Sequence, residues 1–228
     1  TIIGICKVND RKVSFSGGDF TIRGGASDAN VGDKRGYIEE LSLKSRIPFV
    51  RLLDATGGSV KTFEQIGRTY LPGNSTGGGR VDEMLNTVPV VSAVLGSVAG
   101  LPAVQACLCH FNVMVKNTSQ VFVAGPKVVE QATGRSISKE ELGDERIQVK
   151  NGVIMNLADC DEVAWDQVKR FLSYMPQSVY QVPPKIECKD DPERREEELL
   201  SIVPKNRRQI YDPFKICLLY TSPSPRDQ

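Results

Sequence analysis

Apolar and polar positions change along this chain in short blocks rather than in one long amphipathic run. Residues 2–8 and 12–16 flank an Asn9-Asp10 turn and predict a β-hairpin. Residues 37–44 carry Ile38 and Leu41 at helical spacing and lead into an apolar strand at 49–53. After an Ala-Thr-Gly-Gly turn, residues 60–70 suit a helix stopped by Pro72-Gly73, and the glycine-laden 73–80 reads as a surface loop. The cycle then repeats: strand 88–95, turn 96–100, helix 102–110, and strands at 112–115 and 120–123. A turn at 124–126 opens a helix at 127–133. Ser138 and Glu141 form a capping box before a short helix ending near Gly143. Residues 159–174 make a longer amphipathic helix with Val163, Val168, Phe171 and Leu172 on its apolar side. Repeated strand-turn-helix units predict an α/β fold with helices packed on a sheet.

Two of these units carry the candidate chemistry. LLDATGG at 52–58 and VVSAVLGSVAGL at 90–101 each run an apolar strand into a glycine-rich turn followed by a helix-compatible segment. Backbone N–H groups from both turns can then converge on one carbonyl oxygen, the layout of an oxyanion hole. Their glycines alone are equally compatible with tight turns. The single histidine, His110, has no partner in sequence for a catalytic triad and reads as structural or capping, and no nucleophile motif is present. The glycines of 73–80 are not followed by the Gly-Lys-Ser/Thr of a phosphate-binding loop.

Composition narrows the class. The 228 residues are 40% hydrophobic, enough for a full core, and 29 Lys and Arg against 28 Asp and Glu leave a formal charge of +1 without long one-sign blocks. Nothing in that balance advertises nucleic acid, and no apolar stretch reaches the roughly 18 residues of a membrane span. Six cysteines form no Cys-x-x-Cys pair, which predicts reduced thiols and no bound metal. The chain opens directly on a strand, so its start is expected to be a truncation that has removed any targeting peptide. At the other end, 183–216 reads as an extension or linker. CLLYTSPSPRDQ at 217–228 looks like a translated adapter or vector read-through.

Five motifs in order carry a resemblance: SGGDFTIRGGA at 16–26, DATGGSVKTFE at 54–64, GSVAG at 96–100, FVAGPKVVEQATG at 122–134 and ISKEELGDE at 137–145. In this they resemble the carboxyltransferase (β) subunits of biotin-dependent acyl-CoA carboxylases of the propionyl-CoA and methylcrotonyl-CoA type. The resemblance implies a crotonase-like (ClpP/crotonase) N-terminal carboxyltransferase domain over 1–182, with a second carboxyltransferase domain expected beyond the linker. It implies carboxyl transfer from carboxybiotin to the α, or vinylogous γ, carbon of an acyl-CoA through an enolate. The protein then supplies backbone donors rather than a side-chain base. On that reading one donor is Gly58 or Ser59 and the other Gly100 or Leu101, while Gly24, Gly25, Ala26, Gly57 and Gly125 lie along the acyl-CoA. The implied partners are biotin carboxylase and biotin carboxyl carrier components and further copies of the chain, in the mitochondrial matrix or otherwise the cytoplasm. The pattern departs from the family in three places. Leu101 stands where a second glycine is usual, the arginine of the usual Ser-Gly-Gly-Ala-Arg loop is missing, and Asp144, Gln148 and Asn151 replace a Thr- and His-rich stretch. These leave a decarboxylase relative or a non-catalytic subunit as alternatives. A hydratase or isomerase of the same fold would need positioned carboxylates, for which Glu64 and Glu83 are the nearby candidates.

Overall fold

The computed structural model describes residues 1–26, 32–58, 64–65, 67, 80–185, 187, 193 and 195–220. Of the helix expected at 60–70 only 64–65 and 67 are among them, and of the loop expected at 73–80 only Arg80. The chain divides into two compact units, Thr1–Pro184 and Lys185–Gln228.

The first unit is built on one seven-stranded sheet. Strands β1 (Ile2–Val8) and β2 (Arg11–Gly17) form the expected antiparallel hairpin, turned by Asn9 and Asp10 in left-handed conformations (φ 49° and 60°) that these short polar side chains tolerate. From β2 onward the pairing is parallel, through β3 (Phe49–Ala55), β4 (Val90–Ala99), β5 (Phe111–Val115) and β7 (Asn156–Ala158). Strand β6 (Gln120–Phe122) leaves this order. The first half of β4 pairs with β5 (Val91↔Phe111 to Val94↔Met114) and its second half with β6 (Ser97↔Gln120 to Ala99↔Phe122). Polar side chains fix the split. Ser119 Oγ donates to Val94 O at 2.8 Å, Ser97 Oγ to Gln120 Oε1 at 2.6 Å, and Gln148 Nε2 to Val121 O at 2.6 Å.

Helices cover both faces, as a parallel sheet requires. Helix α1 (Gly32–Ser45) and α2 (Val81–Thr87) enclose Ile38, Phe49, Met84, Val88 and Val90. Helix α3 (Leu101–Cys107) packs Ala103 and Ala106 on Leu53, Val94, Val98 and Met114. On the other side the one-turn stripe Ala164, Val168 and Leu172 of α7 (Asp161–Tyr174) meets Val50, Val91, Val113 and Val115, with Phe171 stacked on Phe111 at 4.8 Å. Between them lie α4 (Pro126–Thr133), α5 (Lys139–Gly143) and α6 (Glu145–Lys150). The second unit contains α8 (Leu199–Ile202) and α9 (Pro213–Tyr220), so helix forms where an extension was expected and continues to Tyr220, past residue 217.

Three expectations shift. The turn predicted from Gly96 is strand: β4 continues to Ala99, and glycine stands there because the Asp54 carboxylate occupies the space of a side chain, its Oδ1 lying 2.1 Å from where a Cβ would be. Helix α3 ends at Cys107, short of His110, and its last carbonyls turn to side chains of the sheet. Helix α2, helix α6 and strand β7 were not foreseen, being short and poor in period.

Candidate active site

Parallel strands leave their C-terminal ends as the natural place for a ligand, above all where neighbours diverge. Here β3 and β4 end side by side (Ala55↔Val98), and β6 diverges from β5 next to them. The turns that follow are in contact. Gly100 holds φ 66° and ψ −130°, a conformation that favours glycine, and a Cβ on it would lie 3.2 Å from Gly57 Cα. A Cβ on Gly57 would in turn stand 3.4 Å from Ala99 O.

A cleft of about 650 Å³ opens at this junction. Thr56, Gly57 and Gly58 line it from β3, Ser97, Ala99 and Gly100 from β4, and Phe122 to Pro126 with Val128 from β6 and α4. Ile137, Ser138 and Lys139 close the remaining side. Among the described residues the wall is chiefly apolar, with one cation, Lys139. Ser138 and Glu141 form the expected capping box: Ser138 Oγ accepts from Glu141 N at 3.1 Å, and Glu141 Oε2 from Ser138 N at 3.0 Å.

The expected site residues separate into three groups. Gly57, Gly58, Gly100 and Gly125 share the cleft. Gly24, Gly25 and Ala26 do not line it but stand behind its wall, where Gly24 O accepts from both the amide and the hydroxyl of cleft residue Thr56 at 2.9 Å. Ser59 lies outside the described residues. Of the pair Gly100 and Leu101, the Gly100 N–H is already committed, donating to Val123 O at 3.1 Å and Phe122 O at 3.3 Å. Of the two, Gly100 is thus the one whose N–H is engaged within the turn. The Leu101 N–H, first in α3, has no partner among the described residues; Leu101 follows the cleft residue Gly100 and is not itself among the residues lining the cleft.

The remaining candidates find structural work. His110 Nδ1 accepts from Val90 N at 3.0 Å while Nε2 faces Leu85 O at 2.9 Å, which fixes the tautomer protonated at Nε2. Neither Glu64 nor Glu83 lines the cleft; both are exposed. Asp144 caps α6, accepting from Arg146 N at 3.0 Å and Ile147 N at 3.3 Å, and its carboxylate, held by the Arg146 guanidinium, is kept below the usual range. Burial, reinforced by the charge of Asp19, raises the Asp54 carboxyl. Sequence reasoning passed over Phe122, Val128, Ile137 and Lys139 as site residues. They sit inside the two motifs 122–134 and 137–145, whose spacing marked them without saying that they face one cleft.

A split central strand with helices on both faces and glycine turns meeting at the strand ends is the crotonase-like α/β architecture. The chain belongs to the carboxyl transferase domain family, which matches residues 2–218. It is 32% identical to the propionyl-CoA carboxylase carboxyltransferase subunit of Haloferax mediterranei, over 92% of this chain and 40% of that one. Identity to the mitochondrial propionyl-CoA carboxylase beta chain of Sus scrofa is 30%, over 99% of this chain and 41% of the relative. Methylmalonyl-CoA decarboxylase subunit alpha of Veillonella parvula is 27% identical over 92% and 41%. Among solved structures, the hexameric transcarboxylase 12S with hydrolysed methylmalonyl-CoA bound shares the fold at a TM-score of 0.72 and 24% identity, over 94% of this chain and 41% of that one. The chain thus spans about 40% of the length of the relatives it matches.

Proposed function

We propose that this chain is the acyl-CoA-binding part of a biotin-dependent carboxyltransferase and acts by stabilising a thioester enolate through backbone N–H groups. The observation that carries this reading is the contact of Gly57 with Gly100 at an apolar cleft, followed at once by the Leu101 N–H, which has no partner among the described residues. The Leu101 amide is one donor and the N–H of Gly58 or Ser59 is the other. The apolar wall of Phe122, Val123, Val128 and Ile137 takes the acyl group and keeps water from the developing charge, where fixed donors act most strongly. Lys139 and the Gly125 turn face the anionic portion of coenzyme A, while Gly24 braces Thr56 from behind. Carboxybiotin, brought by a biotin carboxyl carrier and the second carboxyltransferase domain of another copy, supplies both the carboxyl group and the base. The chain itself needs to offer neither nucleophile nor metal. The same enolate run in reverse is the chemistry of a decarboxylase, and the Veillonella parvula relative supports that second reading. The compartment proposed for the working protein is the mitochondrial matrix or otherwise the cytoplasm; the relative from Sus scrofa is mitochondrial by name, and that supports the first.

The test uses the chain alone. It is expected to bind propionyl-CoA weakly and to show no carboxylation with free carboxybiotin. Turnover near the rate of a complete carboxylase would overturn the two-domain reading.

A further inference from the structure

Three polar side chains stand in one row across the middle of the sheet. Arg51 on β3 is paired in register with Ser92 on β4, and Ser92 with Asn112 on β5. Their exposures are 1%, 0% and 1%. Central parallel strands are normally apolar on both faces, so such a row demands a reason. Residues directly opposite one another share a face of the sheet, and all three of these reach the same helix. Arg51 Nη1 donates to Leu108 O at 2.7 Å, Ser92 Oγ to Gln105 O at 2.9 Å and Asn112 Nδ2 to Ala106 O at 3.0 Å. These acceptors are carbonyls of the last turn of α3 and of its C-cap Leu108, which have no partner within a helix that stops there.

Helix α3 is seven residues long and cannot hold itself in water, so its placement is set by what grips it. Ala103 and Ala106 fix its apolar side, and the row of donors fixes its end. Burying a guanidinium costs several kcal/mol unless it is paired. Here Glu39 of α1, itself buried, supplies the opposite charge at 3.7 Å, while Arg51 Nε and Nη2 make no hydrogen bond among the described residues. A sheet that needed only packing at this point would be served better by valine. We infer that Arg51, Ser92 and Asn112 are positioning residues: by anchoring the end of α3 to three adjacent strands they set the direction of the Leu101 N–H, which stands at the first turn of that helix and next to the cleft residue Gly100. The inference rests on the oxyanion reading proposed above.

The experiment reads polarisation of the thioester directly. Propionyl-CoA labelled with ¹³C at the thioester carbonyl is bound at saturation to the chain, and its C=O band is followed by infrared difference spectroscopy. The wild-type chain is expected to move the band to lower frequency. Arg51→Met combined with Glu39→Gln, which leaves no uncompensated carboxylate, should lose more than half of that shift with little change in affinity for propionyl-CoA. Arg51→Lys, which keeps the charge and a donor, should recover most of it. Ser92→Ala removes one bond of the row with almost no change of volume and should lose part of the shift even if the double variant does not fold. A full wild-type shift in the double variant, or in Ser92→Ala, overturns the positioning role alone. A wild-type chain that binds propionyl-CoA without any shift overturns the oxyanion reading and the positioning role with it.

Discussion

Gly100 and Leu101 are neighbours with different duties. The N–H of Gly100 ties the turn to β6, and its φ of 66° is out of reach of proline, whose ring holds φ near −65°. Gly100→Pro would therefore break the turn and say little about catalysis. Leu101 is the first helical residue, where the backbone tolerates proline well; the substitution removes the N–H and replaces the half-buried leucine side chain by a ring. His110 offers the contrasting case. Its two ring nitrogens bridge Val90 N and Leu85 O away from the cleft, so His110→Gln is expected to leave kcat unchanged and to lower stability by about 0.5–2 kcal/mol, read from the urea midpoint. A fall in kcat with stability intact would return a side-chain base to the mechanism. At this scale the glycine turns were legible, because turn chemistry is local. Arg51, Ser92 and Asn112 were not: a polar residue inside an apolar strand acquires meaning only once register places three of them side by side.

Elements whose hydrophobic period is strong were legible in the sequence. The hairpin, β3, the capping box and α7 appear within a few residues of their expected bounds. Strand β4 was cut short in the reading because Gly96 looks like a turn, whereas its small size answers to Asp54 on the next strand, a non-local reason. Helix α6 was missed although its cap is explicit, since Asp144 follows another short helix and was weighed only as a departure from the family pattern. That cap carries a pH signature. The Arg146 guanidinium beside Asp144 lowers its carboxyl below the ordinary value near about 3.9. The stabilisation is thus fully present above about pH 4 and is lost as pH falls through the folded-state value. Asp144→Asn keeps a capping oxygen but no charge. The urea midpoint of the wild type should climb more steeply than that of the variant between about pH 2 and 5; equal slopes would contradict the assignment.

The whole molecule leaves apolar surface uncovered. Val123 is 85% exposed and Val128 58%, both at the cleft, and the second unit exposes Leu200, Ile210 and Phe214. Patches of this kind mark association surfaces, and with the implied second domain they predict self-association. Sedimentation velocity of the full-length protein should show an oligomer whose active site is shared between copies; a fully active monomer at nanomolar concentration would contradict that sharing. The membership of the family was legible from five motifs in order and the meeting of two glycine turns from their repeated pattern, but the residues that wall the cleft beside them needed the sheet. The central claim is that a backbone N–H, and no side chain, carries the charge of the enolate. Steady-state carboxylation of propionyl-CoA by the full-length enzyme with Leu101→Pro tests it most directly. Loss of roughly 10²-fold or more in kcat, with KM for the acyl-CoA little changed, is the result predicted. An unchanged kcat in a folded Leu101→Pro enzyme would contradict the account.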